Sequence, residues 1–296
     1  MHQRFKARNR SLFVHRLRKT VATDTFFSSE IGLNGEQCAQ LYVGKKSKLT
    51  DVFGMTTKSQ MPETLQDFIR KWGAPDVLLS DNAMEQSSRT VKRILREYGT
   101  MAMYTELHHP NQNPTERRIQ DVKKMSNVMM DRTNTPADLW YLSVEYSAYL
   151  LNHLANETLD WRTPIEVATG ETPDISNLLQ FHWYQKVYYY DPKSSYPKPK
   201  EKLGYFVGIA ENVGDTLTYK ILTDDTREVI YRSVVRTADA EDQNLRAEDV
   251  EEEEYELKNQ TVFSESDVRD DVNYPEIDIE QLIGFTFVKQ DGEEQY

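Results

Sequence analysis

The apolar positions of this chain change period twice. Between residues 20 and 55 they fall in short runs rich in β-branched and aromatic side chains: Thr20–Phe27, Gln37–Val43 and Leu49–Met55. Gly, Asn, Ser and Lys separate the runs, which predicts a three-stranded meander with a hairpin loop at Gly44-Lys45-Lys46-Ser47-Lys48. The period then becomes helical. Leu65, Phe68, Ile69 and Trp72 fall at i, i+3, i+4 and i+7, with Pro62 in the first turn and Gly73 as terminator. A strand is predicted over Asp76–Ser80. A helix follows from Ser87, with Val91, Ile94, Leu95 and Tyr98 on one face and Gly99 at its end. Met101–Leu107 reads as a fifth strand. The next helix, Pro114 to Asp131, turns Ile119, Val122, Met125 and Met129 inward, and a long helix runs from Pro136 to Ala155.

The order β-β-β-α-β-α-β-α-α predicts an α/β fold, a mixed five-stranded sheet flanked by helices. In such a sheet the first and fourth strands can lie side by side and parallel. Ligands of open α/β sheets gather at the carboxyl ends of strands where the strand order switches. Residues 161–237 read as a linker and a small β module, with strands at Lys186–Tyr190, Tyr205–Ala210, Leu217–Leu222 and Glu228–Val235. Asp224-Asp225-Thr226 supplies a turn, and the proline-bearing stretch Asp191–Lys202 a loop. Near the end, the apolar patch Leu282–Val288 reads as the first strand of a further element.

Charge refines this division. The net charge of −12 argues against a polyanion partner until its distribution is seen. Residues 239–296 carry 20 acids and 4 bases, whereas residues 1–238 carry 32 bases and 28 acids. Residues 1–19 form a basic arm containing Arg4, Lys6, Arg8, Arg10, Arg16, Arg18 and Lys19 and no acid. A polyanion would meet the front of the chain, and residues 238–296 are expected to be an acidic, mostly disordered tail. No apolar run approaches the length of a membrane span, so no membrane partner is expected. Cys38 is the single cysteine, which precludes an intramolecular disulfide and points to a reducing compartment.

Three acids carry the candidate chemistry. Asp24 lies in the apolar run Val21–Phe27, Asp81 ends Val77-Leu78-Leu79-Ser80-Asp81, and Glu116 opens the helix at Pro114. Two strand-borne aspartates and a helix-borne glutamate supply the hard oxygen ligands that Mg²⁺ or Mn²⁺ prefers. Two such ions can clamp the attacking and leaving oxygens of an in-line phosphoryl displacement. Each acid also has a plainer role. Glu116 can close a capping box at Asn113, Asp24 can face water from an edge strand, and Asp81-Asn82 can form a β-turn. Asp51, in the third predicted strand, is the competing carboxylate.

Several phrases resemble the integrase of copia-type retrotransposons, most closely the branch found in diatom genomes. They are Val21-Ala22-Thr23-Asp24-Thr25, Leu78-Leu79-Ser80-Asp81-Asn82, and His108-His109-Pro110-Asn111-Gln112-Asn113-Pro114-Thr115-Glu116-Arg117. Thr163-Pro164-Ile165-Glu166, Thr169-Gly170-Glu171-Thr172-Pro173 and Gly204-Tyr205-Phe206-Val207-Gly208 follow in the same order. The resemblance implies a ribonuclease H-like catalytic core over residues 20–160 and a metal-dependent polynucleotidyl transferase. It places catalytic and metal-binding roles on Asp24, Asp81 and Glu116, with two Mg²⁺ or Mn²⁺ ions. It implies DNA partners (element ends and a target duplex), self-association and residence in the nucleus, with passage through the cytoplasm. Arg117, Arg118, Lys123, Lys124 and His109 become candidate DNA contacts, set against the plainer reading of a solvated helix face and a polar loop. Relatives begin with a zinc-binding domain of paired His and Cys. Here no cysteine precedes Cys38, so no zinc site of that type is expected. A catalytically inactive, binding-only descendant is the alternative, and a nuclease acting on RNA–DNA hybrids a third.

Overall fold

In a computed structural model, the described residues are 15–81, 88–105 and 114–238, apart from 196, 212, 215 and 216, together with 287–288 and 294–295. The first sheet contains β1 (Thr20–Phe27), β2 (Cys38–Gly44), β3 (Thr50–Met55), β4 (Val77–Ser80) and β5 (Met101–Tyr104). Its spatial order is β3-β2-β1-β4-β5. β1, β2 and β3 pair antiparallel, while β1–β4 and β4–β5 are parallel. This mixed sheet, flanked by helices, has the ribonuclease H-like strand order, and the side-by-side placement of the first and fourth strands is as predicted.

The two faces of the sheet hold separate apolar layers. On one, α1 (Met61–Trp72) and α2 (Arg89–Glu97) bury Leu65, Phe68, Val91 and Ile94 against Val21, Tyr42 and Leu78. On the other, α3 (Pro114–Thr133) and α4 (Trp140–His153) cover Ala22, Phe26, Leu41, Val52 and Leu79. Alternation along β1 sends Val21 to one layer and Ala22 to the other, as strand pleating requires. α1 ends at Gly73 with φ 97°, where a Cβ would stand 2.6 Å from the His15 carbonyl oxygen, so only glycine fits.

α3 sits rotated from the predicted face. Its innermost residues are Thr115, Arg118, Val122 and Ser126. Ser126 donates to Ser143 Oγ of α4 at 2.9 Å, and the hydroxyl pair lets the helices approach closely. The small polar residues that look like surface in the sequence are the contact stripe.

α4 is buried on two sides. It packs on β3 with one face and on a second sheet with the other. That sheet orders β10-β6-β7-β8-β9, from β6 (Lys186–Tyr190), β7 (Glu201–Ile209), β8 (Tyr219–Thr223), β9 (Val229–Arg232) and β10 (Val235–Thr237), all antiparallel. Leu139, Leu142 and Tyr146 share a core with Phe181, Trp183, Val187, Phe206 and Ile221. Between these elements α5 (Pro164–Thr169) is capped by Thr163. The predicted strand Glu228–Val235 is in fact two, β9 and β10, broken at Ser233-Val234. Contacts divide the chain into compact units of residues 1–246 and 247–296. In the second unit β11 (Phe287–Val288) pairs antiparallel with β12 (Glu294–Gln295). The basic arm up to residue 14 and the acidic stretch 239–286 lie outside the described residues. Among the described residues no helix is long and apolar enough to cross a membrane.

Candidate active site

Asp24 occupies the central strand, not an edge. Register pairs it with Leu41, which pairs with Val52, and both belong to the layer under α3 and α4. Its carboxylate therefore faces the helix that carries Glu116. Asp81 follows directly on β4, the parallel neighbour of β1, and Glu116 stands exposed in the first turn of α3. Three separate elements thus bring carboxylates to one side of the sheet.

Burial pushes the Asp24 carboxyl up to about 6, and the like charges of Asp81 and Glu116 push the same way, against a hydrogen bond from the Thr25 amide. That amide donates to Asp24 Oδ1 at 2.8 Å. Among the described residues no Lys or Arg forms an ion pair with Asp24, and no group of three His, Cys, Asp or Glu side chains stands close enough to hold a metal. The donor chemistry suits a hard divalent cation. The spacing seen here does not bring three carboxylates into a single coordination sphere.

The candidate DNA contacts separate by burial. Arg117 and Lys124 are exposed on α3, and Lys123 is half-buried with its ammonium 4.9 Å from the centre of the Phe26 ring. Phe26 lies two residues beyond Asp24 on the same face of β1. Arg118 differs from the expectation. It is 8% exposed, and its Nε donates to Thr50 Oγ1 at 2.6 Å and a terminal nitrogen to the Lys48 carbonyl at 3.2 Å. Its charge ties α3 to the start of β3 instead of facing solvent, because the helix turns that residue inward. His109 and Asn113 lie outside the described residues, as does any test of a capping box at Glu116.

Asp51 belongs to another place. It pairs in register with Tyr42, which pairs with Thr23, and so points to the opposite face from Asp24. There Trp72 Nε1 donates to its Oδ2 at 2.7 Å, and Lys71 Nζ approaches the same oxygen at 3.1 Å. Lys71 also meets Glu211, on the loop after β7, at 2.6 Å. Beside them Lys220 of β8 pairs with Glu145 of α4 at 2.8 Å. This network between the two sheets is one the sequence reading missed, since its members are scattered from residue 51 to residue 220. Three further aromatics behave as structure. Trp140 is core, Tyr189 is buried in the second sheet, and Tyr188 lies under Arg236.

Comparison with known proteins gives distant structural likenesses. The catalytic core domain of HTLV-2 integrase, solved in complex with magnesium in a trimeric form, covers 51% of this chain and 96% of its own, at 14% identity and a TM-score of 0.42. The catalytic core domain of BIV integrase covers 51% of this chain and 94% of its own, at 15% identity and a TM-score of 0.42. A simian T-cell lymphotropic virus intasome, in complex with PP2A regulatory subunit B56 gamma, covers 77% of this chain and 83% of its own, at 13% identity and a TM-score of 0.45. No protein-family model and no curated protein matches the chain.

Proposed function

We propose that residues 20–160 are the core of a polynucleotidyl transferase that joins retrotransposon DNA ends to a target duplex. The observation that carries this reading is the position of Asp24 in β1, on the face that α3 covers, beside the parallel β4 that Asp81 follows, with Glu116 in the first turn of α3. Asp81 and Glu116 add to the rise of the Asp24 carboxyl, while no basic side chain among the described residues pairs with Asp24. Even half-buried, a carboxylate without a counter-ion is costly, and a divalent cation would offset that cost. Asp24, Asp81 and Glu116 would hold Mg²⁺ or Mn²⁺, which when bound supplies charge stabilisation to the reacting phosphodiester.

The chain's own residues account for the rest. Asp24 is fixed by its place in the central strand and by the Thr25 amide. Arg117, Lys123 and Lys124 extend along α3 away from Glu116 and suit contact with phosphates, which position a duplex without reading its sequence. Arg118 drops out of that set and keeps α3 aligned to β3, hence Glu116 to the sheet. Self-association and nuclear residence belong to the same reading.

The test uses the full chain, labelled duplex ends and Mg²⁺ or Mn²⁺. Metal-dependent cleavage or strand transfer is expected, and Asp81→Asn should abolish it while leaving the fold intact. A second reading, a binding-only descendant, draws on the absence of a three-acid cluster at coordinating distance among the described residues. Duplex binding without any cleavage in Mn²⁺ would establish that reading over the first.

A further inference from the structure

The outward face of α2 is a row of cations that the proposed chemistry has not used. Arg89, Lys92, Arg93 and Arg96 are all exposed on this nine-residue helix. Val91, Ile94 and Leu95 are its buried side. Among the described residues none of the four forms an ion pair or a side-chain hydrogen bond. Other basic side chains do: Arg16 with Asp76, Arg70 with Asp67, Lys71 with Asp51 and Glu211, Lys220 with Glu145 and Arg227 with Asp138.

At its amino end α2 carries charge against what a helix prefers. Its amino end carries partial positive charge, so acids stabilise the first turn and bases the last. Here the first turn has no acid and begins with Arg89, while the acid of the helix, Glu97, is its last residue. Arg89 therefore stands in the first turn, where it adds to the helix field, whereas Arg96 in the last turn is favourably placed. Such an end binds anions well. A placement that costs local stability without a local partner is the pattern expected of a functional surface.

Position adds a direction. α2 connects the parallel strands β4 and β5 and so runs back against them. Its carboxyl end meets Arg16, which donates to the Tyr98 and Gly99 carbonyls. Its amino end, at Ser88, lies toward the end of β4 that leads into Asp81. From Arg89 to Arg96 the row spans about 10 Å at ~1.5 Å per residue. Duplex DNA carries a phosphate about every 3.4 Å of axis on each strand, so the row matches roughly three phosphates.

We infer that the outer face of α2 is a phosphate-tracking surface for duplex DNA, distinct from the cations of α3. This rests on DNA being the substrate but not on the chemistry at Asp24. Binding of a short fluorescent duplex to the full chain, without divalent ions, is measured by anisotropy over a salt series. In the fourfold variant Arg89→Gln, Lys92→Gln, Arg93→Gln and Arg96→Gln, affinity at ~0.1 M salt should fall tenfold or more. The slope of log K against log salt should shrink by about three to four. Arg70→Gln, an exposed cation on α1, should move neither. Circular dichroism and thermal melting report folding. If the fourfold variant does not fold, Arg93→Gln alone should lower the slope by about one. A folded variant with the wild-type slope overturns the inference, as does ridge-dependent binding confined to duplex RNA. Ridge-dependent binding without cleavage removes the catalytic proposal and leaves this one, whereas cleavage with an unchanged slope does the reverse.

Discussion

Asp24, half-buried, and Asp51, buried, are two acids of one sheet, placed on opposite faces and given different neighbours. Asp51 is surrounded: the Trp72 indole and the Lys71 ammonium both reach its Oδ2, and the Val52 amide donates to Oδ1 at 3.1 Å. Burial still raises its carboxyl, with Lys71 pulling the other way. Lys71 in turn is raised, because Asp51 and Glu211 outweigh the burial that opposes its charge. Asp24 has the Thr25 amide and two further acids for electrostatic neighbours. The first arrangement is closed, with its charges matched inside the fold. The second is open at Asp24, with which no basic side chain among the described residues forms an ion pair. A structural acid and a candidate metal ligand differ here in what surrounds them, since both stand in short apolar strands.

The comparison breaks most visibly at Lys71. Lys71→Met would leave Asp51 and Glu211 close together without their shared cation. A loss of about 3 kcal/mol is expected at neutral pH, easing in acid as the carboxyls protonate. Thermal or urea unfolding at two pH values measures it. Metal-dependent DNA chemistry in the folded variant should be unaffected, because the network lies on the other face of the sheet. An unchanged midpoint would show that the closed site contributes nothing to holding the two sheets.

Arg118→Met comes next. It removes a buried guanidinium and its bonds to Thr50 and Lys48, for an expected loss of about 2 kcal/mol. Its salt dependence of DNA binding should equal that of the wild type, whereas Lys124→Gln should lower the slope by about one. A slope change in Arg118→Met matching that of Lys124→Gln would return Arg118 to the set of phosphate contacts. Trp72→Phe is milder. It deletes one donor to Asp51 while keeping an aromatic ring, and about 1 kcal/mol should be lost. Duplex binding should not move.

Much of this was legible in the sequence, and the failures have physical causes. The strands read well because pleating forces alternate residues into two different cores: Val21 and Ala22, or Leu78 and Leu79, are apolar for separate reasons. α1 and α2 read well because each rests one apolar stripe on one sheet face. α3 read less well. It lies against a sheet and a helix together, and small polar residues such as Thr115 and Ser126 fill the tight contact, so hydrophobic periodicity pointed one notch away. That shift is why Arg118 looked like surface. Asp24, Asp81 and Glu116 stood out as candidates because they sit at element ends and in an apolar run. The Lys71 network was not, because pairing across a fold leaves no local spacing to detect. The fifth strand reads as Met101–Leu107, and the structure gives Met101–Tyr104 before the chain leaves the described residues.

The smallest effect tests the open site most directly. In the folded chain Asp24 holds its proton up to about pH 6, against an ordinary value of 3.8. The folded state therefore binds more protons than the unfolded state between those values, and stability falls as pH rises through them. Below about pH 4 the carboxyl is neutral in both states and the penalty is absent, while above about pH 6 it is present in full. Asp24→Asn removes the charge at every pH. Its thermal midpoint should exceed that of the wild type by a few degrees near pH 7.5 and match it near pH 3.5. Mn²⁺ near pH 7.5 should raise the wild-type midpoint and close the gap, and should leave the variant where it was. Asp51→Asn should follow pH in the same sense, since burial raises that carboxyl too, but Mn²⁺ should not close its gap to the wild type, because Lys71 already stands beside Asp51. A wild-type midpoint that Mn²⁺ leaves unchanged near pH 7.5, or raises equally in Asp24→Asn, would remove the electrostatic basis for a cation at Asp24.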